Sequence, residues 1–511
     1  MGNSGEVTLV SGGMVYDHDG DTDHPPVADI LIDGDRIVAI GDAAIAQYGG
    51  TGAVDRHVDA RGKLVIPGFV NAHYHSHDIL LKGCFETIPL ETWVLNALPP
   101  SYPKRSAEEV RVRTLLGAYE CLRSGMTTVQ DMLTLQPFDP EHLDTVLAAY
   151  EEIGIRCVFS MQFGDIPGIE RVPFWKELVP EHFHKYLGAS VEPTAENPMD
   201  RVSREFRNRQ NAGPRLSWAI SPTSPDFCSP EILERTAELS ETFDLPVLMH
   251  IYESRMMALS ARQFEPAHDG SHVKYLRSVG LTNSRLGLAH SVWMLPEEID
   301  ILAETGSNVI INAVGNLKTR SGIPPIRNYI DAGINVGIGC DNCSCGDAQN
   351  MFQAMKLFAG LAAVSHAEPG PPTAAGTMKH ATLGGAKILG LGGEVGALKP
   401  GMKADISILN LTAPQFVPLN SAARQTVFAE SGESVDTVLV DGRVVMENRR
   451  LKTIDEEALR GAVEAVMPEL REDIARISDR TGQIADALLE AHRRSWATDV
   501  GLKRYVGDAT G

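Results

Sequence analysis

No stretch of this 511-residue sequence holds the roughly 20 consecutive apolar residues that a membrane-spanning helix needs. Its opening, MGNSGEVTLV, has neither the basic nor the apolar region of a secretory signal, and Glu6 stands where a myristoylation signal carries a hydroxyl residue. A cytoplasmic protein is therefore expected. Cysteine is scarce and odd in number, seven in all, which argues against a disulfide framework and for a reducing compartment. Positive charge is also short: 46 Lys and Arg against 67 Asp and Glu give −21, spread along the chain. Such a balance repels phosphate backbones and anionic lipid, so neither nucleic acid nor a membrane surface is expected as a partner. No HExxH occurs, which removes the helical zinc-peptidase arrangement, and no GxSxG, which removes the serine-hydrolase elbow.

What is present is organised in three parts. Strand-like alternation around Asp33-Gly34, in ADILIDGDRIVAIG, returns far downstream around Asp441-Gly442, in VDTVLVDGRVVMENRRL. Residues 1–66 and 396–455 are therefore expected to form one small composite β-sandwich domain, with 67–395 inserted between them. In the insert, apolar strand, short loop and amphipathic helix alternate about eight times. Helix starts are marked by the capping box Ser106/Glu109 and by Asp139-Pro140 and Ser229-Pro230, a capping residue followed by a proline suited to the first turn. Eight such units favour a parallel (β/α)8 barrel of the TIM type over an open doubly wound sheet, the alternative architecture. Residues 456–511 read as a polar, helical C-terminal tail.

In such a barrel the chemistry gathers where the strands end. The first strand ends in His73 and His75, the fifth in His250, the sixth in His290 and the eighth in Asp341. His73 and His75 differ by two, so in an extended strand both point to one side while Ala72 and Tyr74 point away. Alone, that pair could be incidental loop imidazoles; with His250 and Asp341 at equivalent depth, a shared metal is the better reading. Three nitrogens and one carboxylate oxygen suit one zinc ion per chain, although Fe2+, Mn2+ or Co2+ would also be accepted. His77 is read as pocket wall rather than ligand.

Carboxylate proton transfer alone contributes about 10²–10⁴-fold, whereas a bound metal lowers the pKa of water from 15.7 to about 7, so the metal is expected to make the nucleophile. Glu253 would relay the proton, unless it is only a loop carboxylate paired with Arg255. Asp341 would hold the attacking water while ligating, and His290 would polarise the group attacked. Cys340, Cys343 and Cys345, in GCDNCSCG, are read as packing residues, because alternation turns Cys340 away from Asp341.

These residues, in this order, resemble the amidohydrolase superfamily, in the branch of cytosine and S-adenosylhomocysteine deaminases and triazine chlorohydrolases. PGFVNAHYHSHDILLKG looks like the opening metal motif, HIYE the HxxE, LAHSVWMLPEEI the sixth-strand histidine, INAVGNLKTRSGIPPI the seventh-strand motif and GIGCDN the eighth-strand aspartate. The likeness covers nearly the whole chain. It implies a mononuclear site of His73, His75, His250 and Asp341, with Glu253 as proton shuttle, His290 beside the substrate, and no carbamylated lysine. Trp93 aligns with a tryptophan that lines the family's pocket, though loop packing would equally explain it; Asn316, His77 and Thr223 are further expected substrate contacts. Departures concern the substrate. Thr223 stands where nucleoside-type deaminases carry histidine, Asn312-Ala313-Val314-Gly315-Asn316 replaces Asn-Pro-x-x-Asn, and Cys340-Asp341-Asn342 replaces Thr-Asp-Gly; together these argue against adenosyl substrates.

The expected activity is hydrolysis of a C–N bond in a small nitrogen heterocycle, with deamination leading. Dechlorination, release of a substituted amine, and urea, carbamate or amide hydrolysis use the same water attack. A non-catalytic binding or assembly protein on the same fold is the rival from another class. The likeness also suggests a homodimer or larger homo-oligomer.

Overall fold

A computed structural model describes residues 6–48, 54–99, 103–188 and 196–506. Val7–Val15, Val27–Asp33, Arg36–Ile40, Arg56–Asp59 and Lys63–Pro67 share one nine-stranded sheet with Ile406–Asn410, Val435–Val440, Arg443–Glu447 and Arg450–Leu451. The seam between early and late segments is antiparallel, from Lys63 opposite Asn410 to Pro67 opposite Ile406. Ile30, Ile32, Val65, Ile406, Ile408 and Leu439 bury one core there. The Asp441-Gly442 turn has both residues at positive φ, 55° and 77°, the backbone that a two-residue hairpin's twist requires. Residues 1–5 and 49–53 of the expected β domain lie outside the described residues.

The middle of the chain is the barrel expected from the alternation. Its strands are Phe69–His75, Met126–Leu133, Arg156–Phe163, Leu216–Trp218 with Ser221–Pro222, Val247–Ile251, Leu286–His290, Asn308–Ile311, and Val336–Ile338 with Asp341–Asn342. All pair in parallel, a bridge from Ile220 to Val247 links the two halves, and Asp341 and Asn342 pair back onto Tyr74 and His75 to close the cylinder. Val70, Ala72, Met132, Val158, Ala219, Leu248, Ala289 and Ile310 come from seven successive strands and pack together, so they fill its interior. Ala72 thus does not turn away with Tyr74 as strict alternation would have it; a register shift between Asn71 and Tyr74 interrupts the period.

Helix starts follow the capping signals. Ser106 accepts from the Glu109 amide, Asp139 from Glu141 and Ser229 from Ile232. Arg156 ties barrel to sheet, its guanidinium donating to both Asp405 oxygens at 2.9 and 3.0 Å and to Asp441 at 2.9 Å.

The C-terminal region departs from a polar tail. Glu456–Ala497 is one 42-residue helix, carrying Pro468 within it, that buries Leu470, Ile477, Ile484, Leu488 and Ala491. It packs on the helices Leu90–Ala97, Ala107–Arg123 and Arg255–Phe264 that surround the barrel. Among the described residues no helix is long and apolar enough to cross a membrane.

Candidate metal centre

His73, His75, His250, His290 and Asp341 come from four different strands and are all buried or nearly so. The Nε2 atoms of His73 and His75 are 3.2 Å apart, and those of His75 and His250 are 3.3 Å apart. Asp341 Oδ1 lies 3.6 Å from His73 Nε2 and 3.8 Å from His75 Nε2. Four ligands at about 2.0–2.1 Å from a tetrahedral ion sit about 3.4 Å from one another, so these separations suit zinc-sized coordination.

The tautomers point the same way. His75 Nδ1 is 2.6 Å from the Met132 carbonyl and His250 Nδ1 is 2.8 Å from the Thr223 carbonyl. A carbonyl only accepts, so each Nδ1 carries the proton and each Nε2 turns a bare lone pair toward the others. Burial, with the neighbouring His73, holds both imidazoles well below the ordinary histidine range, so protonation does not relieve the crowding. Asp341 Oδ2 is buried without a partner in the protein. Converging lone pairs beside a carboxylate at a largely buried site are the donor set of a cation.

Glu253 and His290 flank this cluster, with Glu253 Oε2 3.3 Å from His290 Nε2. Burial, then Asp341 and Glu91, push the Glu253 carboxyl well above the usual carboxylate range. Burial takes His290 down to about 4. His290 Nδ1 donates to Asn316 Oδ1 at 2.8 Å, while Asn312 Nδ2 donates to Nε2 at 3.3 Å. His290, at the end of its strand, and Asp341, at the start of the short strand Asp341–Asn342, have positive φ, 71° and 65°, a conformation costly for residues with a Cβ and held here by packing. Gly315 makes room for the aspartate, since a Cβ there would lie 2.4 Å from Asp341 Oδ2. Arg255, the alternative partner for Glu253, donates instead to the Ser495 and Thr498 carbonyls.

A cavity of about 450 Å³ opens from the cluster, reaching His75, His250, Glu253 and Asp341 at one end. Trp93 lines it, its indole N–H donating to Ser344 Oγ at 2.9 Å. Thr223 lines it too, but its hydroxyl donates to the Phe163 carbonyl at 2.9 Å. His77 is placed differently from its expectation. The strand ends at His75, and the tight turn Ser76–Leu81 swings the third imidazole against the Thr134 amide and Asn342, where it lines a separate void of about 10 Å³. Asn316 likewise sits behind His290 and does not line the cavity. Three wall elements were not anticipated. Glu91 is half-buried, with one oxygen held by Ser254 and the other buried and unpartnered; the segment 164–187 and Leu488 also line the cavity. A seven-residue spacing of Leu470, Ile477, Ile484 and Ala491 is the signal that could have found the helix's buried face.

A profile of the amidohydrolase family matches residues 64–445. The chain belongs to the amidohydrolase family. It is accordingly a hydrolase of carbon–nitrogen bonds, and both the barrel and the branch suggested by its motifs are borne out. Among curated relatives, a 5'-deoxyadenosine deaminase of Methanothermobacter thermautotrophicus is 33% identical over 437 residues, covering 85% of this chain and 94% of the relative. A 5-methylthioadenosine/S-adenosylhomocysteine deaminase of Pyrococcus furiosus is 30% identical, covering 83% and 93%. Among solved structures, a zinc-bound adenosine deaminase from Xanthomonas campestris matches with a TM-score of 0.80 at 25% identity over 92% of this amidohydrolase and 99% of that chain. Atrazine chlorohydrolase from Arthrobacter aurescens, complexed with zinc, matches with a TM-score of 0.76 at 25% identity over 90% and 100%.

Proposed function

We propose that this amidohydrolase removes an amino group from a small nitrogen heterocycle, with one zinc ion held by His73, His75, His250 and Asp341. The observation that carries the reading is the convergence of the His73, His75 and His250 Nε2 atoms with the Asp341 carboxylate, 3.2–3.8 Å apart, beside Glu253, whose proton affinity burial raises. Zinc bound there supplies a water acidic enough to ionise near neutral pH.

The chain's own groups do the rest. Glu253, its proton affinity raised, takes a proton from the attacking water and returns it to the departing nitrogen. Asp341 keeps one carboxylate oxygen free of protein partners, so it can accept from that same water and align it. His290 in its resting tautomer accepts at Nε2; the second proton of the attacking water, passed to it by Glu253 3.3 Å away, turns it into a donor to the atom on which charge collects and ends on the product ring. The Asn316 carbonyl supports that charged state from behind.

Residues 67–395 carry this chemistry, 1–66 with 396–455 make the supporting β domain, and 456–511 are the C-terminal tail, whose helix Glu456–Ala497 packs on helices around the barrel. Seven unpaired cysteines, six of them buried, support a cytoplasmic setting. A homodimer or larger assembly is carried forward from the family likeness. The relatives' names put adenosine derivatives first among compounds to test, while Thr223, with its hydroxyl engaged, offers less to a nucleoside than a histidine would.

The test is ammonia release by zinc-loaded protein across 5'-deoxyadenosine, cytosine, guanine and amino-triazines, with chloride and alkylamine followed in parallel. Ammonia from at least one compound, lowered about 10²–10⁴-fold in Glu253→Gln without loss of zinc, supports the reading. Full activity in Glu253→Gln, or in protein stripped of metal, overturns it.

A further inference from the structure

The cavity is much larger and much more apolar than the reacting ring requires. Its 450 Å³ lies in the range of sites that enclose a drug-sized molecule. Nineteen Leu, Ile, Val, Met, Phe and Trp side chains line it among the described residues. Glu253, Asp341, Thr134, Gln162, Thr223 and Asn342 line it from the barrel strands and the residues that follow them, and Asp165, Arg171, Glu196 and Arg201 from between the third and fourth strands. The opposite wall is built by Leu95, Ile169, Leu187 and Leu488, which pack with Ile484 and Trp175 into one apolar cluster. That cluster joins three segments far apart in sequence: the helix after the first strand, the insertion after the third and the C-terminal helix.

Charge on the wall is one-sided. Six carboxylates line the cavity against two guanidiniums, Arg171 and Arg201. Both cations are engaged: Arg171 donates to the Asp226 carbonyl at 3.0 Å and stacks over Phe264, and Arg201 pairs with Glu196 at 3.3 Å and stacks over Phe138. Away from the metal end, an anionic group would meet the Asp165, Glu196 and Asp226 carboxylates and, among the described lining residues, only cations already engaged.

We infer that the substrate is a heterocycle bearing a bulky, uncharged apolar arm, alkyl or aryl, that reaches from the metal centre to the Leu95–Ile169–Leu187–Leu488 wall, and that phosphorylated or carboxylated analogues are rejected. This rests on the hydrolase reading for the ring end, while the arm end stands on the wall itself. Met161, Met256 and Met257 also line the cavity, and their unbranched side chains let it adjust to arms of different shape.

The experiment is calorimetric binding to the zinc-loaded Glu253→Gln protein, with turnover of the same compounds by the wild-type enzyme measured alongside. Two series are used, 5'-alkylthio-5'-deoxyadenosines and N-alkylmelamines, each with methyl, butyl and hexyl arms and a hexyl arm ending in carboxylate. In at least one series Kd should fall about fourfold per methylene, the usual worth of burying a CH₂, and rise at least tenfold with the terminal carboxylate. Leu488→Gln should flatten the dependence on arm length, and Leu187→Gln should do the same independently. Affinity independent of length in both series, absence of binding, or a carboxylate arm bound as tightly as hexyl overturns the inference. Length-graded binding with no product from any compound leaves the arm in place and overturns the hydrolase reading instead.

Discussion

His290 Nδ1 and Asn316 Oδ1 are 2.8 Å apart, and both side chains are buried. The amide oxygen fixes which ring nitrogen carries the proton, and so which one faces Glu253. Asn316→Ala should lower kcat by about 10–100-fold with zinc content and KM little changed, as expected when a histidine loses the group that orients it. Steady-state kinetics with metal analysis on the same sample checks this; an unchanged kcat would remove Asn316 from the machinery.

Removing a ligand should act differently. His73→Ala or Asp341→Ala should abolish both activity and stoichiometric zinc, and prolonged chelation of the wild type should be reversed by added zinc. Elemental analysis beside an activity assay distinguishes this from the Asn316 outcome, in which the ion stays.

Two glycines make a contrasting pair. Gly315→Ala places a methyl 2.4 Å from the Asp341 carboxylate, so zinc affinity should drop by about 10–100-fold in a competition titration. Gly360, in the helix Met351–Val364, has nothing within 4 Å of the added carbon. Gly360→Ala should therefore stabilise the fold by about 0.5–1 kcal/mol, read by denaturant unfolding.

Asp78 accepts from the Cys343 and Ser344 amides and the Ser344 hydroxyl, which in turn accepts from Trp93. Burial outweighs these bonds and raises its carboxyl to about 6. The folded state therefore holds this proton more tightly than the unfolded state, and the stability it confers is fully present below about pH 4. It is lost as pH rises through about 6, a change of about 2–3 kcal/mol. Asp78→Asn has no such proton, so its stability relative to wild type should increase by that amount between pH 4 and 7, measured by unfolding at both values.

Arg156 faces Asp405 and Asp441 in buried surroundings. Arg156→Met leaves buried Asp405 without its cation, while Asp441 keeps Lys403 at 3.2 Å, and should destabilise the protein by about 3–5 kcal/mol. Arg156→Met/Asp405→Asn/Asp441→Asn should recover much of that loss in the same unfolding experiment.

The parts of the site governed by local periodicity were legible in the sequence. His73 and His75 share a face because of strand alternation, and His250, His290 and Asp341 lie at the carboxyl end of the barrel because it repeats one unit. His77 could not be placed that way, since its direction depends on where extended backbone gives way to a tight turn. Asn316 was out of reach for another reason: whether an amide meets substrate or braces a histidine depends on packing between two strands and a short helix. The packing of the C-terminal helix was missed because that helix is polar on average, and only its seven-residue apolar spacing reveals a buried face.

The seam between Lys63–Pro67 and Ile406–Asn410 joins segments separated by more than 300 residues of chain. During synthesis the first strands leave the ribosome with one edge bare and must wait for the entire barrel before their partner exists. Chaperones or rapid barrel closure have to guard that edge meanwhile. Fusion partners and expression rates that lengthen the wait should influence soluble yield more strongly than surface substitutions.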